Sequence, residues 1–114
     1  MPPQKKSLNP IPSSLRGKKR YVKFRFICSK PLAERDAWQS ILRAFGGLFG
    51  SQGMAEQRLW LIKWFPEKNE GILRCSLQQE ENVKAGILFV QKVGPETVVP
   101  LILKVSGSVK KLKQ

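Results

Sequence analysis

The side chains with chemistry to offer in this sequence are cations. Residues 15–26 read LRGKKRYVKFRF, and six of these twelve are Lys or Arg. The second half of the stretch also alternates as a β-strand does. Val22, Phe24, Phe26 and Cys28 fall on one side, and Tyr21, Lys23, Arg25 and Ile27 on the other. Arg74 and Lys104, in two later strand patterns, add to the charged side. Cations arranged like this suit contacts to phosphate, which position a polyanion without reading its bases.

Protein-borne catalysis has little to draw on. Histidine is absent, which removes the commonest general base and metal ligand. No carboxylate pair has a spacing that suggests acid–base work, and Glu80 with Glu81 fits the start of a helix better. Cys28 and Cys75 form neither a metal knuckle nor a staple, and are expected to be free thiols of an intracellular protein. The run FGGLFGSQG lacks the Lys-Ser/Thr pair of a phosphate-binding loop and follows a helix rather than a strand. Its glycines, in a loop expected over 46–53, serve a tight helix exit.

The distribution of charge sharpens the reading. The 114 residues carry 21 Lys and Arg against 8 Asp and Glu, a formal charge of +13. Residues 1–30 hold nine basic groups and no acid, residues 97–114 hold four Lys and no acid, and 31–96 balance to zero. The excess sits at the two ends of the chain and calls for a polyanionic partner, nucleic acid or an anionic membrane surface. The longest apolar runs, GILFV and VVPLIL, are far too short to span a bilayer.

The elements that must position these cations follow from periodicity. Residues 1–19 read as a flexible basic arm, 20–109 as one α+β domain, and 110–114 as a basic tail. After the first strand, Trp38, Ile41, Leu42, Phe45 and Phe49 share a helical face. EQRLWLIKWF reads as a strand covered on both sides, with Trp60, Ile62 and Trp64 inward and Leu61 and Phe65 outward. PEKNEG turns into the strand GILRCSLQ, EENVKAGILFVQKV returns to helical period until Gly94-Pro95, and TVVPLILKVSGS makes the last strand. The order β-α-β-β-α-β predicts a ferredoxin-like sandwich, a four-stranded antiparallel sheet with both helices on one face. Strand order 4-1-3-2 then brings the basic arm and the basic tail to one corner. The open face lacks the central-strand aromatics of the common RNA-recognition module. It offers Lys23, Arg25, Arg74 and Lys104, beside an apolar strip of Ile27, Leu61, Phe65 and Ile72 suited to a protein partner.

An ordered set of blocks, IPSSLRGKKRYVKF (11–24), LFGSQGMAEQRLWLIKW (48–64), GILRC (71–75), VKAGILFV (83–90) and VSGSVKK (105–111), resembles the archaeal and eukaryotic ribonuclease P protein component 2. The resemblance covers about 100 residues of the chain. It departs at Ser108, where the family usually has Thr, and at Ala33, where a helix-capping Ser or Thr is usual. What the resemblance implies is a ribonucleoprotein subunit that supports removal of the 5′ leader from precursor tRNA. The RNA would supply the active site and its Mg²⁺, and the protein would bind no cofactor. The implied partners are ribonuclease P RNA, precursor tRNA and ribonuclease P protein component 3, with self-association as a further expectation and no membrane. The compartment would be the cytoplasm in an archaeon and the nucleus or nucleolus in a eukaryote. The residues expected at RNA are Arg16, Lys18, Lys19, Arg20, Lys23, Arg25, Arg74, Lys104, Ser106, Lys110 and Lys111. Rival readings are a ribosomal protein, a pure protein-interaction subunit, and a small ferredoxin-like enzyme, for which SKPLAERD lacks the anion-binding Arg loop.

Overall fold

A computed structural model describes residues 18–112. Arg16, the rest of the arm before Lys18, and residues 113–114 lie outside the described residues. Strand β1 (Lys19–Ile27) is followed by helix α1 (Glu34–Gln57), strands β2 (Trp60–Phe65) and β3 (Glu70–Ser76), and a 3₁₀ turn (Leu77–Gln79) into α2 (Glu80–Leu88). A small hairpin, β4 (Lys92–Val93) and β5 (Glu96–Thr97), then leads to β6 (Val99–Ser106) and a short α3 (Val109–Leu112). The four long strands form one antiparallel sheet in the order β2-β3-β1-β6, the order expected of the ferredoxin-like plan.

Alternation places Val22, Phe24 and Phe26 of β1 at 0% exposure, where they meet Ile41 and Phe45 of α1 and Val83 and Ile87 of α2. Two glycines permit this closeness. A Cβ on Gly86 would stand 2.5 Å from the Phe45 ring, and one on Gly71 would stand 2.7 Å from Phe24 and 2.9 Å from Trp64. Ala33 supplies no side-chain cap to α1, so Glu34 and Asp36 in its first turn are the groups that complement the positive end of the helix. Asn69, in a left-handed turn (φ 53°), accepts from the Leu32 amide and donates to the Lys30 carbonyl. The Trp64 indole donates to the Leu32 carbonyl at 2.8 Å, so the loop into α1 is pinned to the β2–β3 hairpin.

Three features differ from the sequence expectation. The glycine-rich segment is helix: α1 continues to Gln57, broken only at Gly50, whose φ of 72° and ψ of 175° change the helix direction. Gly94-Pro95 is the turn of the β4–β5 hairpin rather than the end of α2, which stops at Leu88. The basic tail begins as α3, and its Leu112 is buried.

Strand β2 also sits in a different register on its two halves. The pairing with β3 shifts between Leu61 and Lys63, so Ile62 is an extra residue at a bulge. Leu61 and Trp64 therefore both face the helices, and Trp60 is 56% exposed instead of buried. Its ring meets Trp38 of α1 edge-on at 6.1 Å, at the rim of the sheet.

Candidate nucleic-acid interface

On the face opposite the helices, cross-strand pairing sets Tyr21 beside Arg74 and Ser106, Lys23 beside Ile72 and Lys104, and Arg25 beside Glu70 and Leu101. The charges in these rows are not equally available. Glu70, 3% exposed, is bridged by Lys23 at 3.7 Å and by the Arg25 guanidinium. A buried carboxylate demands such partners. Two cations of β1 are thus engaged by one acid, leaving a single net positive charge. Arg20 pairs with Cys75 and so belongs to the helix side, where it bridges Glu80 at 3.3 Å. It also closes on the end of β6, since a Cβ on Gly107 would stand 2.8 Å from its guanidinium.

The pairing of Tyr21 with Ser106 and of Lys19 with Ser76 puts the start of β1 beside the ends of β6 and β3. The first and last described residues of the domain meet at one corner, as the strand order requires. Lys104 is exposed on β6, and Lys110 is exposed on α3, which packs against β6 and β1. Lys111 is in the same helix. Ser106 shapes the turn into α3: its hydroxyl accepts from the Ser108 amide at 3.0 Å.

At this corner a cleft of about 230 Å³ is lined by Lys18, Lys19, Arg58, Arg74, Cys75 and Ser76. Arg58 is a residue that sequence reasoning missed. It lies just past α1 in the electrically neutral middle of the chain, and only the fold carries it to the basic end. The Cys75 thiol is pushed up to about 11 by burial, with Glu80 adding to the effect and Arg20 opposing it. A thiol so held stays protonated and inert at neutral pH. Among the described residues no group of three or more His, Cys, Asp or Glu could hold a metal ion.

The apolar strip takes a different form from the one expected. Leu61 belongs to the core because of the β2 bulge, and Ile72, although on the open face, is completely buried. Phe65 is half-buried there with Lys23 and Lys63 near its ring at 5.9 and 5.7 Å. Ile27 remains exposed, at 48%, and its cross-strand partner Val99 is 55% exposed. With Leu101 and Leu103 they make an apolar margin along β6, an edge strand that sequence reasoning did not single out.

The strand order and the two helices on one face define a ferredoxin-like α+β domain, and a yet closer likeness places the chain in a family. It belongs to the Rpp14/Pop5 family, whose model matches residues 20–114. It is 33% identical over 107 residues to ribonuclease P protein component 2 of Methanocaldococcus jannaschii, covering 93% of this chain and 78% of that protein. The component 2 of Archaeoglobus fulgidus is 32% identical over 91% of this chain and 93% of its own length. That of Pyrococcus horikoshii is 28% identical over 96% and 91%. A chain in the cryo-EM structure of yeast ribonuclease MRP shares the fold at a TM-score of 0.64 and 14% identity, over 81% of this chain and 76% of that one.

Proposed function

We propose that the protein is an RNA-binding subunit of ribonuclease P that holds the catalytic RNA in its working shape while the 5′ leader is removed from precursor tRNA. The observation that carries this reading is the family match along residues 20–114, joined to relatives named ribonuclease P protein component 2 that align over nearly the whole chain. The geometry supports it by setting cations from β1, β3, β6 and the α1–β2 junction at one end of the sheet. Cations so placed offset phosphate repulsion where RNA strands must approach each other. In this reading the reaction and its Mg²⁺ belong to the RNA, and the protein's work is binding and positioning. Its protein partner is ribonuclease P protein component 3, docked on the apolar margin of Ile27, Val99 and Leu101, and its compartment is the cytoplasm in an archaeon or the nucleus or nucleolus in a eukaryote. No helix among the described residues is long and apolar enough to cross a membrane.

Reconstitution tests the proposal. Added to the cognate RNA together with component 3, the protein should raise the cleavage rate of precursor tRNA or lower the Mg²⁺ concentration required. Alone, with or without Mg²⁺, it should cleave nothing. Multiple-turnover cleavage by RNA-free protein, or an RNA whose activity ignores the protein, would sink the reading.

A further inference from the structure

Three features of the cleft at the basic corner bear on what it can bind. Its cations are uncommitted: among the described residues, Lys18, Lys19, Arg58 and Arg74 take part in no ion pair, and no acidic side chain lines the cleft. The three segments that deliver them are tied together. The Leu77 amide donates to the Lys18 carbonyl at 3.1 Å, Ser76 Oγ donates to the Glu56 carbonyl at 3.1 Å, and the Arg58 amide donates to the Met54 carbonyl at 3.2 Å. The cleft is therefore preorganised, which lowers the ordering cost of binding. Third, Arg58 stands in the left-handed region, at φ 52° and ψ 50°, as the residue that ends α1. Glycine, or failing that asparagine, is the usual choice there, because a Cβ crowds the following carbonyl oxygen. An arginine at such a position is a strain that points to a use for its guanidinium.

We propose that this cleft seats one phosphodiester group of the RNA backbone, with Arg58 and Arg74 as the donors and Lys18 and Lys19 closing the charge around it. A guanidinium offers paired donors that match two phosphate oxygens, and lysine contributes as a point charge. The volume of about 230 Å³ is several times the roughly 30 Å³ that a water occupies in the liquid, so a phosphate with part of its hydration fits. The inference rests on the RNA-binding reading above and adds to it one seat and its residues.

The conformation of Arg58 supplies the test. Arg58→Gly removes the guanidinium and relieves the backbone, so the thermal midpoint should hold or rise. Affinity of the full chain for the cognate ribonuclease P RNA should nevertheless fall on the order of tenfold, as expected for losing a hydrogen-bonded charge. The slope of log affinity against log salt should flatten by about one unit. Lys68→Ala, in the exposed β2–β3 turn at the other end of the sheet, is the matched loss of one charge and should change affinity far less. Equal, small effects of the two substitutions on an RNA that the wild type binds well would overturn the seat while leaving the RNA-binding reading intact. No RNA binding by the wild type would overturn both. Inorganic phosphate separates the sources of the anion. It should compete with RNA at the wild-type cleft and do so less in Arg58→Gly. Phosphate stabilising the wild type but not Arg58→Gly, with RNA affinity equal in the two proteins, would make this a free-anion site and overturn the proposal.

Discussion

Cys75 sits where the core meets the basic cleft, and its environment makes a prediction about pH. Burial raises its pKa from the ordinary thiol value of 9.0 to about 11. The raised value means that the folded state retains a proton which the unfolded chain gives up above pH 9. The unfolded state therefore binds fewer protons between pH 9 and 11, and stability must fall across that window. The contribution is fully present below pH 9. Denaturation midpoints of the wild type and Cys75→Ala, compared from pH 7 to 11, should show the wild type losing more stability above pH 9. Every other group is common to the two proteins and cancels in the comparison. Parallel curves would mean that the thiol is not desolvated. Glu70 illustrates the same physics with charges present: its burial draws Lys23 and Arg25 onto one carboxylate, and that is why the charged side of β1 contributes less free charge than its composition promises.

At the scale of elements, the approach of neighbouring helices and strands is set by glycines that no period announces. Gly86 lets α2 approach α1 until the Phe45 ring lies 2.5 Å from where a Cβ would be. Phe45 is itself fully buried and cannot turn away. Gly86→Ala should cost about 1–3 kcal/mol by overpacking, read as a lower urea midpoint with unchanged slope. Phe45→Leu in the same chain should recover part of that loss, because the two residues share one space. Full additivity of the two changes would show that they do not meet. The same physics explains what could be read from the sequence. The alternation of Val22, Phe24 and Phe26 and the helical face of Ile41 and Phe45 come from burying one side of an element, so periodicity reveals them, and the element order then fixes the ferredoxin-like plan. The bulge at Ile62 that turns Leu61 inward depends on how β2 meets β3, and a period of two cannot show it. Helix α1 crosses its glycines because tertiary packing overrides propensity. Arg58 joins the basic corner only through the fold, since neither its charge neighbourhood nor its spacing in the sequence marks it.

For the whole molecule, the antiparallel pairing of β1 with β6 converts two distant ends of the chain into one surface. Tyr21 lies opposite Ser106, so Lys18 and Lys19 stand at the end of the sheet from which Lys110 and Lys111 continue in α3. If this corner and the sheet beside it engage six phosphates, RNA affinity should drop on the order of 10³-fold between 50 and 200 mM salt. Replacing Lys18 and Lys19 by Ala should flatten the salt slope by about one to two units, and so should replacing Lys110 and Lys111. Removing residues 110–114 is a poorer probe than those four substitutions. It also removes the buried Leu112, whose burial is worth about 1.5–3 kcal/mol, so truncation would mix loss of fold with loss of charge. The informative measurement is the fourfold variant. If both ends grip one RNA segment, releasing that segment at one end weakens what the other end still holds. The combined loss should then be smaller than the sum of the two pairwise losses, by more than the 0.3–0.5 kcal/mol scatter typical of independent sites. Strict additivity would assign the two ends to separate RNA segments, and affinity indifferent to all four lysines would leave their charge as solvated surface.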